Sequence, residues 1–282
     1  MACKRSGVQF PLAPQLFGSS GLRLRTKFLT MTSLGFRLDG LRALVTGGGS
    51  GIGKAIASAM RDAGATVVVC DVNDSTSPNY VCDVSKTADV EAMFKGIERD
   101  LGGLDILVNN VGVPGPTARV DEMDPDAYDE CVRVNLGGTF RVTHFAVPML
   151  LKSKGSMINI STSAGIFGYP LRSPYVAAKW GVIGLTKSWA MELGEFGVRV
   201  NAICPGSVSG PRMDGVIERE AQAVGKTPEE IRTGYEKQVS LQTFIEPEDI
   251  AASCVFLSSQ AARFISGQVL PVDGNIETMR SN

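Results

Sequence analysis

Apolar and polar positions follow two alternating rhythms along this chain. From Leu41 onward, short β-branched or aliphatic runs are separated by longer stretches with helical spacing. The runs Arg42 to Val45, Thr66 to Cys70, Tyr80 to Cys82, Asp105 to Val108, Ser156 to Ile160, Arg199 to Ile203 and Val269 to Val272 predict seven strands. Helical spacing covers Ile52 to Ala63, Ala88 to Leu101, Asp126 to Leu151, Pro174 to Phe196, Pro228 to Gln238 and Pro247 to Ser258. The alternation predicts an α/β fold: a single domain whose seven-stranded parallel sheet carries helices on both faces.

Local chemistry sharpens several boundaries. Ser173-Pro174 and Thr227-Pro228 each offer a hydroxyl at the N-cap and proline at the first helical position, and Thr227 with Glu230 makes a capping box. Only Val72 to Asn79 separates the second and third strands, too short for the crossover helix that parallel neighbours usually need. A polar loop is expected there, with one sheet face thinly covered.

With 282 residues, 44% of them hydrophobic and 20% charged, the chain can bury one large core. Its charge is unevenly placed. Met1 to Leu38 holds Lys4, Arg5, Arg23, Arg25, Lys27 and Arg37 with no acid, so acidic residues dominate the remainder. That body lacks an electrostatic footprint for phosphate backbones, which argues against a nucleic-acid partner. Residues 1–37 read as a basic leader outside the fold, either an upstream extension with Met31 near the natural start or an organelle-targeting segment, and 38–282 as the domain. No apolar run in the leader could span a bilayer, and no membrane partner is expected. The cysteines Cys3, Cys70, Cys82, Cys131, Cys204 and Cys254 show no C-x-x-C spacing, so free thiols in a reducing, cytoplasmic compartment fit best. His144 is the only histidine, and neither a metal cluster nor a Ser-His-Asp triad finds support.

Directly after the first strand comes Thr46-Gly47-Gly48-Gly49-Ser50-Gly51-Ile52-Gly53, which opens a helix. Glycines there let backbone N–H groups approach a pyrophosphate, and the helix N-terminus adds partial positive charge. The second strand ends at Asp71, where an acid can accept hydrogen bonds from an adenosine ribose and repel a 2′-phosphate. Gly48, Gly49, Ser50, Val72 and Asn73 offer no cation for such a phosphate, so the expected cofactor is NAD rather than NADP. Further along, Tyr175 and Lys179 stand four apart on one helix face. A phenol is a poor base at neutral pH, but a neighbouring ammonium stabilises the phenolate and lets such a pair take a proton from an alcohol.

Seven motifs in order then resemble the short-chain dehydrogenase/reductases: T-G-x-x-x-G-I-G at 46–53, N-N-V-G at 109–112, Asn135 in V-N-L-G-G-T-F, N-I-S-T-S-A-G at 159–165, Y-V-A-A-K at 175–179, N-A-I-C-P-G at 201–206 and S-G-Q-V-L-P-V-D-G at 266–274. The resemblance implies a Rossmann-like domain that transfers a hydride between NAD and a secondary alcohol or ketone. It implies that Gly47, Ser50, Gly51, Ile52 and Gly53 line the pyrophosphate, that Asp83 meets the adenine amino group beside Val84, and that Asn109 supports the adenosine with Gly112 giving clearance. Pro205, Gly206 and Val208 would flank the nicotinamide, Lys179 would bind its ribose, Tyr175 would be the acid/base, and Asn135 would hold a proton-relaying water.

Two positions depart from the family pattern. Thr162 stands where a substrate-orienting serine is usual, with Ser163 as the alternative, and Gly210 stands near a customary threonine, where Ser207 or Ser209 could substitute. Residues 207–244 are expected to form a substrate lid, and Arg172 and Arg212 lie near its mouth, where they could hold an anion or simply face solvent. The family resemblance further implies a homotetramer through helices 126–151 and 174–196. Two other functions stay open: a carbonyl or 3-oxoacyl reductase working in the reductive direction, and a catalytically idle NAD-binding protein.

Overall fold

The computed structural model describes residues 35–276. Seven strands form one sheet: β1 (Arg42–Thr46), β2 (Thr66–Asp71), β3 (Tyr80–Val81), β4 (Ile106–Asn109), β5 (Ser156–Ile160), β6 (Arg199–Pro205) and β7 (Val269–Val272). Their order is β3-β2-β1-β4-β5-β6-β7, and every neighbouring pair is parallel. Eight α-helices cover it among the described residues: α1 (Gly51–Asp62), α2 (Thr87–Leu101), α3 (Pro125–Val132), α4 (Gly138–Ser153), α5 (Ser173–Gly194), α6 (Pro211–Val224), α7 (Pro228–Lys237) and α8 (Pro247–Ser258).

The period-two alternation of strand side chains divides the core into two layers. Ala43, Val45, Val67, Val69, Ile106, Val108, Ile158 and Ile203 pack on one face with Ile56 and Met60 of α1 and Ile250, Cys254 and Leu257 of α8. Leu44, Val68, Cys70, Leu107, Met157 and Val200 point the other way, against Val90 and Phe94 of α2, Val142 and Leu150 of α4 and Trp189 and Leu193 of α5. A third, smaller cluster of Ile217, Ala221, Ile231, Tyr235 and Phe244 holds α6 and α7 together beyond the sheet. The five described cysteines are buried free thiols.

Most sequence expectations hold, and the differences have physical causes. The domain starts earlier than residue 38, because the Phe36 ring packs 6.1 Å from Phe256 and Arg37 ties Asp39 to the carbonyl of Asp62. The remaining leader lies outside the described residues. The β2–β3 connection is the expected polar loop, with one 3₁₀ turn at Asp74–Thr76, and Val72 and Val81 beside it are exposed. The Thr227–Glu230 capping box forms, whereas Ser173 lies inside its helix and Arg172 takes the cap position without a side-chain bond.

Two helices differ from what spacing alone predicts. The stretch 126–151 is continuously helical as expected, but a π-helical turn at Arg133–Gly137 joins α3 to α4, and there the Asn135 amide turns back to donate to the Cys131 carbonyl at 2.8 Å. Helix α6, not anticipated as such within the lid, starts at Pro211 after Gly210 at φ 132°.

Candidate active site

The C-terminal ends of the parallel strands open into a cleft of about 530 Å³, the usual ligand position in an open α/β sheet. One end is built by the glycine-rich turn. Helix α1 packs so tightly on that turn that a Cβ on Gly53 would run into the Gly47 carbonyl oxygen. Ser50 caps α1 without a side-chain hydrogen bond, and no acid stands in the first turn, so its leading N–H groups are left for an anion. Ile52 and Gly51 line the same wall.

Across from this turn, Asp71 borders the cleft with its carboxylate fixed by the N–H groups of Gly49 at 3.1 Å and Asn73 at 3.1 Å. Asp83 and Val84 continue the wall. Burial alone would raise the Asp83 pKa, but hydrogen bonds from the Ser85 hydroxyl at 2.6 Å and its N–H, with Lys86 nearby, hold it below the ordinary carboxylate value. A dinucleotide's pyrophosphate and ribose fit these groups: free N–H donors on one side, a pinned acid on the other.

The opposite end belongs to β5, α5 and the π-helical turn. Tyr175 and Lys179 project from the first turns of α5, with the ammonium 5.9 Å from the phenol ring centre. Lys179 is 3% exposed, and its Nζ donates to the Ile160 carbonyl at 2.9 Å. Burial, and secondarily the Arg212 charge, pushes its pKa down to about 8. Gly112 lets these parts meet, since a Cβ there would stand 2.7 Å from Asn135 Oδ1 and 3.3 Å from Lys179 Nζ.

Thr162 and Ser163 both border the cleft but differ in freedom. The Ser163 hydroxyl is fully buried and donates to Asp273 at 3.0 Å, while the Thr162 hydroxyl makes only long contacts with Pro205 and Ala164, at 3.4 and 3.3 Å. Pro205, Gly206, Ser207, Val208 and Ser209 line the wall beyond them, and the Ser209 hydroxyl is engaged by Glu246 at 2.9 Å.

Two expected residues do not line the cleft themselves. Asn109 does not border the cleft: it is buried, donating to Thr143 at 3.0 Å and Asn159 at 2.8 Å, because its register position opposite Asn159 turns it toward the α4–α5 face. Asn110 is the lining residue, its amide donating to the carbonyls of Thr46 and Gly47. Asn135 is also buried, and its amide hydrogens are donated to Cys131 and Val113. His144 is exposed on α4, its ring against the edge of Phe145 at 5.0 Å, away from the site.

Sequence reasoning missed Tyr169 and Tyr235. Their hydroxyls are hydrogen-bonded to each other, and Tyr235 donates to Glu220 at 2.6 Å, bringing α7 of the lid onto the cleft. Burial pushes the pKa of both phenols up, so they remain neutral donors.

A phenol beside a buried ammonium, facing a helix start prepared for phosphate, defines a class: oxidoreductases built on the doubly wound α/β sheet. Comparison with known proteins narrows the class. Residues 47–275 match the family model described as enoyl-(acyl carrier protein) reductase. The chain is 37% identical over 254 residues to D-beta-hydroxybutyrate dehydrogenase of Cupriavidus necator, spanning 84% of this chain and 98% of that one. It is 33% identical over 255 residues to the 3-oxoacyl-(acyl-carrier-protein) reductase FabG of Thermotoga maritima, spanning 85% and 99%. Among solved structures, NAD+-bound xylitol dehydrogenase superposes with a TM-score of 0.79 at 27% identity, covering 84% of this chain and 99% of that one. The chain belongs to the short-chain dehydrogenase/reductase family, whose relatives here are oxidoreductases of alcohols and ketones.

Proposed function

We propose that this protein is an NAD-dependent dehydrogenase of secondary alcohols, and that Tyr175 exchanges the hydroxyl proton. The observation that carries the reading is the placement of Tyr175 and the buried Lys179 ammonium on one helix face at the cleft's basic end, opposite the pinned carboxylate of Asp71. When bound, the nicotinamide ring supplies the hydride acceptor or donor. Gly47, Ser50, Gly51, Ile52 and Gly53 would hold the pyrophosphate, Asp71 the adenosine ribose, and Asp83 with Val84 the adenine side. Pro205, Gly206 and Val208 would border the nicotinamide end.

Thr162 orients the substrate oxygen toward Tyr175, the group that exchanges the proton, and the Lys179 ammonium stands beside its ring. Gly112 and Asn135 are positioning residues for Lys179: the first leaves it room, and the second braces the 112–114 loop through Val113. The preference for NAD rests on Asp71, which no cation of the adjoining loop offsets. Homotetramer formation through α4 and α5 belongs to the same reading, supported by the exposed Phe140, Trp180 and Met191 on those helices. A cytoplasmic setting is supported by the buried free thiols.

Absorbance of reduced cofactor formed from a panel of secondary alcohols, run with NAD and with NADP, tests the proposal. Faster turnover with NAD is expected. Faster turnover with NADP would remove the role given to Asp71, and no reduced cofactor with either would leave an idle binding protein.

A further inference from the structure

The cleft carries its charges at opposite ends. Its two lining carboxylates, Asp71 and Asp83, both stand at the glycine-rich end, while Arg172, Lys179 and Arg212 border the Tyr175 end. None of these three cations has an ion-pair partner among the described residues. Glu220 of the lid already accepts the Tyr235 hydroxyl, and Asp214 pairs with Arg232.

Arg172 is the unusual member. It is only 7% exposed, and its Nε is buried without a hydrogen-bond partner. One Nη donates to the Pro114 carbonyl at 2.6 Å, and the guanidinium carbon stands 5.2 Å from the Tyr175 ring centre and 5.7 Å from that of Tyr169. Two aromatic faces and one carbonyl offset part of the cost of burying the charge, but they leave a donor of a planar fork unused. Leu171, immediately before it, holds φ 64°, a region bulky side chains avoid. Arg212 adds a second cation over the same loop, donating to the Gly112 carbonyl at 3.1 Å.

We infer that Arg172, assisted by Arg212, binds the carboxylate of the substrate, so that the alcohol oxidised is a short hydroxy acid. A carboxylate accepts paired N–H bonds from the Nη groups of a guanidinium, and Arg172 lines the cleft. Because the guanidinium lies against the ring of Tyr175, the carboxylate and the reacting hydroxyl are separated by only a few carbons. The inference deepens the dehydrogenase reading and rests on Tyr175 facing the substrate.

Binding, read without turnover, separates the two. With NAD added, thermal shifts are titrated with butyrate and with its neutral counterpart butyramide at constant ionic strength, for the wild-type protein, Arg172→Met, Arg172→Lys and Arg212→Ala. The wild-type protein should bind butyrate about tenfold or more tightly than butyramide, as charge-assisted hydrogen bonds imply. Arg172→Met should abolish that preference, Arg172→Lys should weaken it while keeping its sign, and Arg212→Ala should reduce it less. The lysine variant serves if the methionine variant fails to fold. Equal binding of acid and amide by the wild-type protein, or an undiminished preference in either Arg172 variant, would overturn the inference. In the parallel assay, neutral secondary alcohols oxidised as well as 3-hydroxybutanoate would overturn it while leaving the dehydrogenase standing. Selective butyrate binding without turnover of any alcohol would do the reverse.

Discussion

The two ends of the cleft are built from different kinds of sequence information. At the glycine-rich end, one continuous turn, Gly47 to Gly53, and one strand-end acid, Asp71, supply nearly everything, and backbone N–H groups form most of the wall. At the Tyr175 end, the wall is gathered from β5, the π-helical turn, α5, the loop after β6 and the lid, and side chains do the work. The first end is a local product of the chain, whereas the second exists only once distant segments have packed. The first end is legible in residue spacing, and the second depends on contacts between segments far apart in the chain.

That contrast can be broken by experiment, beginning with the buried cation of the Tyr175 end. Lys179→Met removes the ammonium beside the Tyr175 ring and the proposed ribose contact together. The expected fall in kcat/KM is about a thousandfold, within the range for loss of an acid–base system, with KM for NAD rising as well. A variant losing only NAD affinity would assign Lys179 to the cofactor alone.

The next effect concerns stability. Lys179 has a folded-state pKa of about 8 against an ordinary 10.5, so the native state binds fewer protons than the unfolded state between those values. The cost of holding the buried ammonium is therefore fully present below pH 8 and disappears as pH rises toward 10.5. Denaturant unfolding of the cofactor-free protein should show the wild type gaining on the order of 3 kcal/mol relative to Lys179→Met across that window. A difference flat with pH would mean the burial is not maintained in solution.

The smallest effect tests the glycine-rich end. Asp71→Ala should narrow the ratio of kcat/KM for NAD over NADP by about tenfold, the worth of a charged hydrogen-bonding group. Because Asp71 also accepts from Gly49 and Asn73, NAD binding should weaken at the same time. An unchanged ratio would place the discrimination elsewhere.

How much could be read in advance follows the same division. The strand periodicity, the seven-stranded parallel sheet and the absence of a crossover helix before β3 were legible because each depends on short-range pattern. The choice between Asn109 and Asn110 was not, since adjacent residues of a strand end face opposite sides and only the pairing of Asn109 with Asn159 says which. The π-helical turn escaped because the bonds made there, from the Asn135 amide to Cys131 and Val113, span a loop and a helix. Arg172 looked like one of many surface arginines until Tyr169, Tyr175 and Pro114 closed around it. Spacing from Tyr175 favoured Thr162 over Ser163, and the bond from Ser163 to Asp273, 110 positions along the chain, separates them in the fold.

The claim on which the rest depends is that the phenol at 175 carries the proton. Tyr175→Phe removes one oxygen at the cleft surface, so the fold and the cofactor contacts should persist. Turnover at saturating NAD and the NADH dissociation constant, measured on the same preparation, are the decisive pair. A loss of activity of at least about a hundredfold with unchanged NADH affinity is the expected result. A Tyr175→Phe variant that stays active and still binds NADH would assign proton transfer to another group and contradict the mechanism.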